Sequence, residues 1–392
     1  VLKANKAMGK KLTIFMFVDA LGWEIVNKYG FCSQELPFRY PAKMQFGYSS
    51  TAIPTILSGK KPIEHKHLSF YYYAPDKSPF KILIFRYLLL QYLPGRIFNR
   101  WRVRHLLSRI IKKLYGFTGY FELYSMPFAR LPFFDYCEKN DIFAAGGMAP
   151  LKNLCDILNE AGISYLISDW RQPEEYNIRQ MESAIKAGDI EFGFLYTAGF
   201  DGFLHDNVSD SAAVGRKLAE YEEKVKNLFR TAENSYDDFT FAVISDHGMT
   251  PLRGTCDLKK QIDRLGLKFG KDYAAAYDST MARFWFLSPS ARSQIMEVLA
   301  AQENAHLLTP EEKQQYGIDF PDNMFGEEIL LFDPGIQIVP SDMALKPLAG
   351  MHGYSPEDKD SNASYLSNKE PACPPKWVGD YFTLMQEQIS SN

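Results

Sequence analysis

The chain has 392 residues, of which 46% are hydrophobic and 23% charged, and its net charge is −3. That composition excludes a disordered or collagen-like protein and supplies a large apolar core. The near-balanced charge excludes a general polyanion binder, so no nucleic acid partner is expected.

The N-terminal stretch is basic and then apolar, as a secretory leader would be. Its apolar run, Leu12–Val18, is short and meets Asp19 without a small-residue cleavage site. It reads instead as a first buried strand. Tyr165–Ile167, Phe192–Tyr196 and Phe239–Ile244 have the same character. Helical patterns lie between them. Pro150–Glu160 stops at Ala161-Gly162, and Ser211–Thr231 is apolar at Val214, Leu218, Tyr221, Val225 and Leu228. Strand–helix alternation predicts an α/β fold, with a mostly parallel central sheet and helices on both faces.

Two segments depart from the alternation. Between Lys77 and Phe121 there are ten Lys or Arg and no Asp or Glu. Val103, Leu106, Leu107, Ile110, Ile111 and Leu114 share one helical face there, with most basic residues opposite. Residues 70–115 therefore read as an inserted, basic and aromatic-rich helical cap. Its apolar face either packs on the core or meets an anionic membrane through residues 77–115. Residues 270–339, with a helix over Ser288–Ala301, read as a smaller α+β subdomain. The catalytic core would comprise 1–69, 116–269 and 340–392.

No apolar run reaches the roughly 18 residues that a membrane span needs. The nearest, Ile82–Leu93, is broken by Arg86 and Gln91. The five cysteines are odd in number and form no C-x-x-C pair, which points to a reducing compartment. The expected location is cytoplasmic, with peripheral membrane contact through the cap. Nothing in the sequence bears on oligomeric state.

Ligands of such folds sit at the carboxyl ends of the strands. Here those ends carry Asp19, the pair Asp201-x-x-x-His205, and Asp246-His247, while His352 lies between glycines near the C-terminus. Alone, a strand-end Asp more often caps a helix, and a D-x-x-x-H pair is a weak signal. Their joint occurrence is the informative feature. Carboxylate oxygen and imidazole nitrogen suit Zn²⁺ or Mn²⁺. Six such residues suffice for two cations, which together can clamp both oxygens of a phosphoryl transfer. Ser49, Ser50 and Thr51 open a predicted helix. Each is either a helix cap or a nucleophile placed where an anion is stabilised.

The order of these motifs resembles the alkaline phosphatase superfamily, and most closely its type I phosphodiesterase/nucleotide pyrophosphatase branch. The resemblance rests on VDALGW at 18–23, SSTAIPTILSGKKPIEH at 49–65, DGFLH at 201–205, SDHGM at 245–249 and GMHGYSPEDKDSNASYL at 350–366. It implies that Asp19, Asp246 and His247 hold one metal with the nucleophile, and that Asp201, His205 and His352 hold the other. It also implies a nucleophile ten residues before the glycine of Ser58-Gly59, which selects Ser49, with Ser50 and Thr51 as fallback. Three carboxylates do not neutralise two divalent cations, so the site would attract a phosphate anion.

The chain departs from the branch after this helix. Nucleotide-processing members carry H-G-I/V-x-x-N, whose Asn contacts phosphate. This sequence has His65-Lys66-His67-Leu68-Ser69-Phe70 instead. The phosphate contact is then expected from Lys66 or His67.

The function implied is a two-metal-dependent hydrolase of phosphate esters, a phosphodiesterase with a metal-activated Ser nucleophile and a covalent phospho-enzyme. The metals would be Zn²⁺, with Mn²⁺ as the alternative. The substrate would be a small-molecule or lipid-linked phosphate ester. The competing readings are a phospho-group transferase or mutase, a phosphonate or sulfate ester hydrolase, and, in another class, an inactive binding module.

Overall fold

A computed structural model describes residues 7–82 and 100–390. Part of the expected cap, 83–99 with Arg86 and Arg96, lies outside the described residues.

The first strand, Ala7–Val18, shows how the sequence builds the layers. Leu12, Ile14, Met16 and Val18 enter one apolar cluster, while Phe15 and Phe17 enter another. Successive side chains of a strand point to opposite faces, so a continuous apolar run serves a sheet covered on both sides. On the first face packs the helix Ser211–Ser235, which buries Val214, Leu218, Tyr221, Val225 and Leu228. Its start is fixed by Asp210, whose side chain accepts from the amides of Ala212 and Ala213. On the second face lie Ser49–Ser58, Leu154–Ala161 and Asp380–Ser390. Each fully buried Leu, Ile or Phe contributes roughly 1.5–3 kcal/mol.

The six-stranded sheet has the order Phe38–Ala42, Ala363–Ser367, Tyr236–Ile244, Ala7–Val18, Phe192–Thr197, Tyr165–Ile167. The last four are mutually parallel, as the sequence predicts. The first two, which the sequence reading does not anticipate, are antiparallel additions. Val18 pairs with Thr197 and Phe17 with Ile244, so three adjacent strands end level with one another. That alignment brings Asp19, Asp201 and Asp246 to one edge.

Helix limits differ slightly from expectation, for local reasons. The predicted Pro150–Glu160 helix starts at Leu154, because the Asn153 side chain accepts from the Asp156 amide and caps it there. The helix Pro289–Ala300 is likewise capped by Ser288, which accepts from the Ala291 amide. A helix over Glu174–Ala187 was not anticipated.

A second sheet is antiparallel throughout, in the order Tyr273–Tyr277, Met281–Phe286, Glu328–Phe332, Ala305–Leu307. It is tied to the loop after the Ser49–Ser58 helix by one buried ion pair. Arg283 is fully buried, and its Nε donates to Asp278 Oδ2 at 2.7 Å. Its Nη1 donates to the Tyr71 carbonyl at 2.9 Å, and Ser69 Oγ donates to Asp278 Oδ1 at 2.9 Å. Removing one partner of such a pair leaves the other charge buried alone. Arg283→Ala should therefore cost about 3–5 kcal/mol, read as a shift of the urea midpoint. A midpoint within error of the wild type would contradict this account of the junction.

Candidate metal centre

The centre is assembled where the three level strands end. Asp19 follows the first strand, and its amide donates to the Thr197 carbonyl at 2.9 Å. Asp201 and His205 sit one turn apart on the helix Gly199–Asn207, with His205 Nε2 3.4 Å from Asp201 Oδ2. Asp246 and His247 follow Tyr236–Ile244 after Ser245. His352 comes from the loop after the short strand Gly350–Met351.

Close backbone packing holds these loops together. A Cβ on Gly22 would lie 2.4 Å from the Cα of Gly248, so the VDALGW loop packs on the SDHGM loop only with glycine at 22, and a Cβ on Gly248 would lie 2.1 Å from the Asp360 carbonyl oxygen. Gly353, at φ +88°, would put a Cβ 2.5 Å from the Tyr48 ring. This contact sets His352 beside the start of the Ser49 helix.

Two ligand groups result. In one, donor atoms of Asp19, Asp246 and His247 all lie within 4.8 Å of one another; in the other, those of Asp201, His205 and His352 do. The groups adjoin, because the His247 and His352 rings stack at 3.8 Å. His247 Nε2 lies 3.2 Å from Asp246 Oδ2, 3.6 Å from Asp19 Oδ1 and 3.0 Å from Ser49 Oγ. His352 Nε2 lies 3.6 Å from Asp201 Oδ1. Second contacts orient two of the rings. His247 Nδ1 faces the Gly248 carbonyl and His205 Nδ1 the Gly350 carbonyl, both at 2.9 Å. With Nδ1–H donating, Nε2 keeps its lone pair for a metal.

The donor set fits divalent cations. Asp19 Oδ1, Asp201 Oδ1 and Asp246 Oδ2 are buried without a hydrogen-bond partner among the described residues. Buried carboxylate oxygens in that state call for positive charge. Burial, then Asp246 and Asp201, push the Asp19 carboxyl well above its usual range. Burial also raises Asp246, against the pull of His247. Burial works against the charge of Asp201 too, but His205 and His352 outweigh it and hold its carboxyl low. Burial, with His247 adding to it, keeps His352 neutral, which is the form that ligates.

The three candidate hydroxyls are distinct. Tyr48 occupies the cap position of the Ser49–Ser58 helix, so Ser49 and Ser50 are its first two helical residues rather than caps. Ser49 Oγ meets His247. Ser50 Oγ is buried without a partner, on the wall of the same cavity. Thr51 is fully buried and donates to the Leu68 carbonyl at 2.6 Å. Lys66 and His67 are not brought to the cavity. Lys66 is exposed, and His67 Nδ1 lies 2.6 Å from the His65 carbonyl, with burial lowering its pKa to about 4. Phe70 stands on the cavity wall instead.

That cavity, of about 510 Å³, joins the metal centre to a wall of rings including Tyr120, Tyr124, Trp170 and Tyr196. Glu138 and Asp141 share the wall. Sequence reasoning missed these residues, for they carry no motif and come from segments far apart in the chain. The only available signal was the high aromatic content, which does not say where the rings gather.

The sequence profile of the type I phosphodiesterase/nucleotide pyrophosphatase family matches residues 152–355, more than half of the chain. The chain belongs to this family. The matched stretch contains Asp201, His205, Asp246, His247 and His352. Solved structures agree on the fold. Murine ectonucleotide pyrophosphatase/phosphodiesterase 5 superposes with a TM-score of 0.67 at 15% identity, covering 97% of this chain and 95% of that one. The human counterpart gives 0.68 at 12% identity with the same coverage. An inactive variant of the murine protein in complex with AMP superposes with a TM-score of 0.67 at 15% identity, also over 97% of this chain and 95% of that one. No curated protein sequence matches the chain significantly. As a type I phosphodiesterase/nucleotide pyrophosphatase, the chain is a phosphoric ester hydrolase. Its substrate is a phosphate ester.

Proposed function

We propose that the chain hydrolyses phosphodiesters through Ser49, with two divalent cations, most suitably Zn²⁺. Asp19, Ser49, Asp246 and His247 would hold one cation, and Asp201, His205 and His352 the other. The observation that carries this reading is Ser49 Oγ, 3.0 Å from His247 Nε2, beside two adjoining groups of unsatisfied ligand atoms. Bound cations would make the Ser49 hydroxyl easier to ionise and offset charge on the leaving oxygen.

The chain's own groups do the rest. The Ser49–Ser58 helix starts at the cavity wall, where Ser49 and Ser50 stand, and its N-terminus would favour the negative charge of an incoming phosphate. Ser49 Oγ attacks phosphorus, the P–O bond to one alcohol breaks, and that alcohol leaves. A phospho-serine diester remains. Water then attacks phosphorus, releasing the phosphomonoester and restoring Ser49. Tyr196, whose hydroxyl donates to Asp19 Oδ2 at 3.2 Å, holds that carboxylate in place. Phe70 stands in place of the family's phosphate-contacting Asn, and the Ser50 hydroxyl, buried without a partner on the same cavity wall, is free to donate to the phosphate.

Ser49→Ala should lower turnover of bis(p-nitrophenyl) phosphate by at least about a thousandfold. Ser50→Ala should stay within tenfold of wild type. Equal activity of the Ser49 variant, or loss only in the Ser50 variant, would overturn the assignment.

The cap helix favours a further partner. Trp101–Tyr115 packs inward through Arg104, Ser108 and Ile111, so only part of the expected apolar face reaches the core. Trp101, Leu106, Ile110 and Leu114 remain exposed, beside exposed Arg102, Arg109 and Lys113. Apolar rings and branches flanked by cations suit an anionic membrane surface. Among the described residues no helix is long and apolar enough to cross a membrane. The protein should float with vesicles containing anionic lipid at low salt, and Leu106→Glu with Ile110→Glu should abolish this. Absence of flotation by the wild type would remove the membrane reading.

A further inference from the structure

A buried chain of hydroxyls joins the start of the Ser49 helix to the His352 loop. The Tyr48 hydroxyl lies 2.8 Å from Thr280 Oγ1 and accepts from the Thr280 amide at 3.0 Å. Thr280 Oγ1 donates to the Gly353 carbonyl at 2.7 Å. A carbonyl only accepts, and Thr280 has one hydroxyl hydrogen, so each hydrogen in the chain has a single place. The Thr280 hydroxyl donates to Gly353, and the Tyr48 hydroxyl donates to Thr280. Both residues are buried, Thr280 completely.

The two ends of this chain reach different ligand groups. The Tyr48 carbonyl accepts from the amides of Thr51 and Ala52 at 2.7 and 2.9 Å, so the residue that meets Thr280 also starts the helix of Ser49. Gly353 follows His352, and the Tyr48 ring meets the His352 ring edge-on at 5.8 Å. Thr280 is itself held. It lies in the turn between Tyr273–Tyr277 and Met281–Phe286, where its carbonyl accepts from the Phe332 amide at 2.9 Å and the Ser279 carbonyl from the Ile338 amide at 2.8 Å. Asp278, in the same turn, holds Ser69 in the loop beyond the helix. One turn of the second sheet thus grips both ends of the Ser49 segment and the residue after His352.

We propose that Tyr48 and Thr280 are positioning residues that fix the register between Ser49, in one ligand group, and His352, in the other. They act through the backbone that carries those two side chains. The proposal rests on the reading of Ser49 as nucleophile and of the two groups as metal sites. It gives the smaller sheet, which supplies none of the proposed ligands, the task of spacing them. Tyr48→Phe keeps the ring against Gly353 and deletes only the hydroxyl. Thr280→Val keeps the shape of the side chain and deletes the donor to Gly353. In either variant packing alone holds the register, and a misplacement of about 1 Å can cost about a hundredfold in rate.

The test is titration of the metal-free full-length chain with Zn²⁺ against a chromophoric chelator, which reads the two binding steps. His352→Ala identifies the step that belongs to its group. Tyr48→Phe and Thr280→Val should each weaken that step by about tenfold to a hundredfold and leave the other within about threefold. Thr280→Ser, which keeps the hydroxyl, should restore it. With saturating Zn²⁺, kcat for bis(p-nitrophenyl) phosphate should fall by about tenfold or more in the first two variants, with KM within about threefold. A merely structural role would lower the urea midpoint and leave the ratio of the two zinc steps unchanged. That result, or Thr280→Ser as impaired as Thr280→Val, would overturn the proposal. If Tyr48→Phe does not fold, Thr280→Val and Thr280→Ser decide. Two zinc steps split as expected but no turnover by the wild type would fault the phosphodiesterase reading only. Turnover by the wild type with both zinc steps unmoved in the variants would fault the positioning role only.

Discussion

Three carboxylates, the buried Asp19 and Asp246 and the half-buried Asp201, converge at the carboxyl edge of the central sheet, and the rest of the architecture is arranged around that concentration of charge. Each leaves one buried oxygen without a hydrogen-bond partner among the described residues. Mutual repulsion and burial raise two of the three carboxyls, while the imidazoles hold Asp201 low. An arrangement of this kind is unfavourable on its own terms. It persists because parallel strands ending level fix where the chain must turn, and because Gly22, lacking a Cβ, lets its loop pack directly on Gly248. Divalent cations would convert the same constraint from a liability into a binding site.

How much of this was legible follows from what each signal measures. Buried parallel strands are continuous apolar runs, so Leu12–Val18 and its three partners stood out. Asp19, Asp201, Asp246 and His247 lie within five residues of the ends of those runs, and strand ends in such a sheet are brought together by the topology itself. The antiparallel strands Phe38–Ala42 and Ala363–Ser367 had no such signature. One contains Pro41, and the other contains two serines that are fully buried in the sheet. In the cap helix, helical periodicity correctly grouped the apolar residues on one face. It could not say that the core would take the Arg104–Ser108–Ile111 side and leave Leu106, Ile110 and Leu114 outside. Arg104 is buried because its guanidinium donates to the Met126 carbonyl at 2.6 Å, a tertiary contact without a local signal.

The same limit explains the substrate side of the cavity. Lys66 and His67 were plausible phosphate contacts because they follow the Ser49 helix in sequence, but the chain turns them away and presents Phe70. Glu138 and the rings around it come from segments separated by up to a hundred residues. Their meeting depends on tertiary packing, as in the contacts of Phe70 with Tyr120 and Tyr124. Chemistry common to the family is thus written in motifs at strand ends. The cavity wall away from the metal centre is built from residues that carry meaning only once folded.

The central claim is that the two ligand groups are metal sites. It is tested most directly by anomalous X-ray scattering at the zinc edge from crystals grown with Zn²⁺. Two peaks are predicted, one among Asp19, Asp246 and His247 and one among Asp201, His205 and His352. Absence of both peaks, or zinc bound only elsewhere on the protein, would contradict the account.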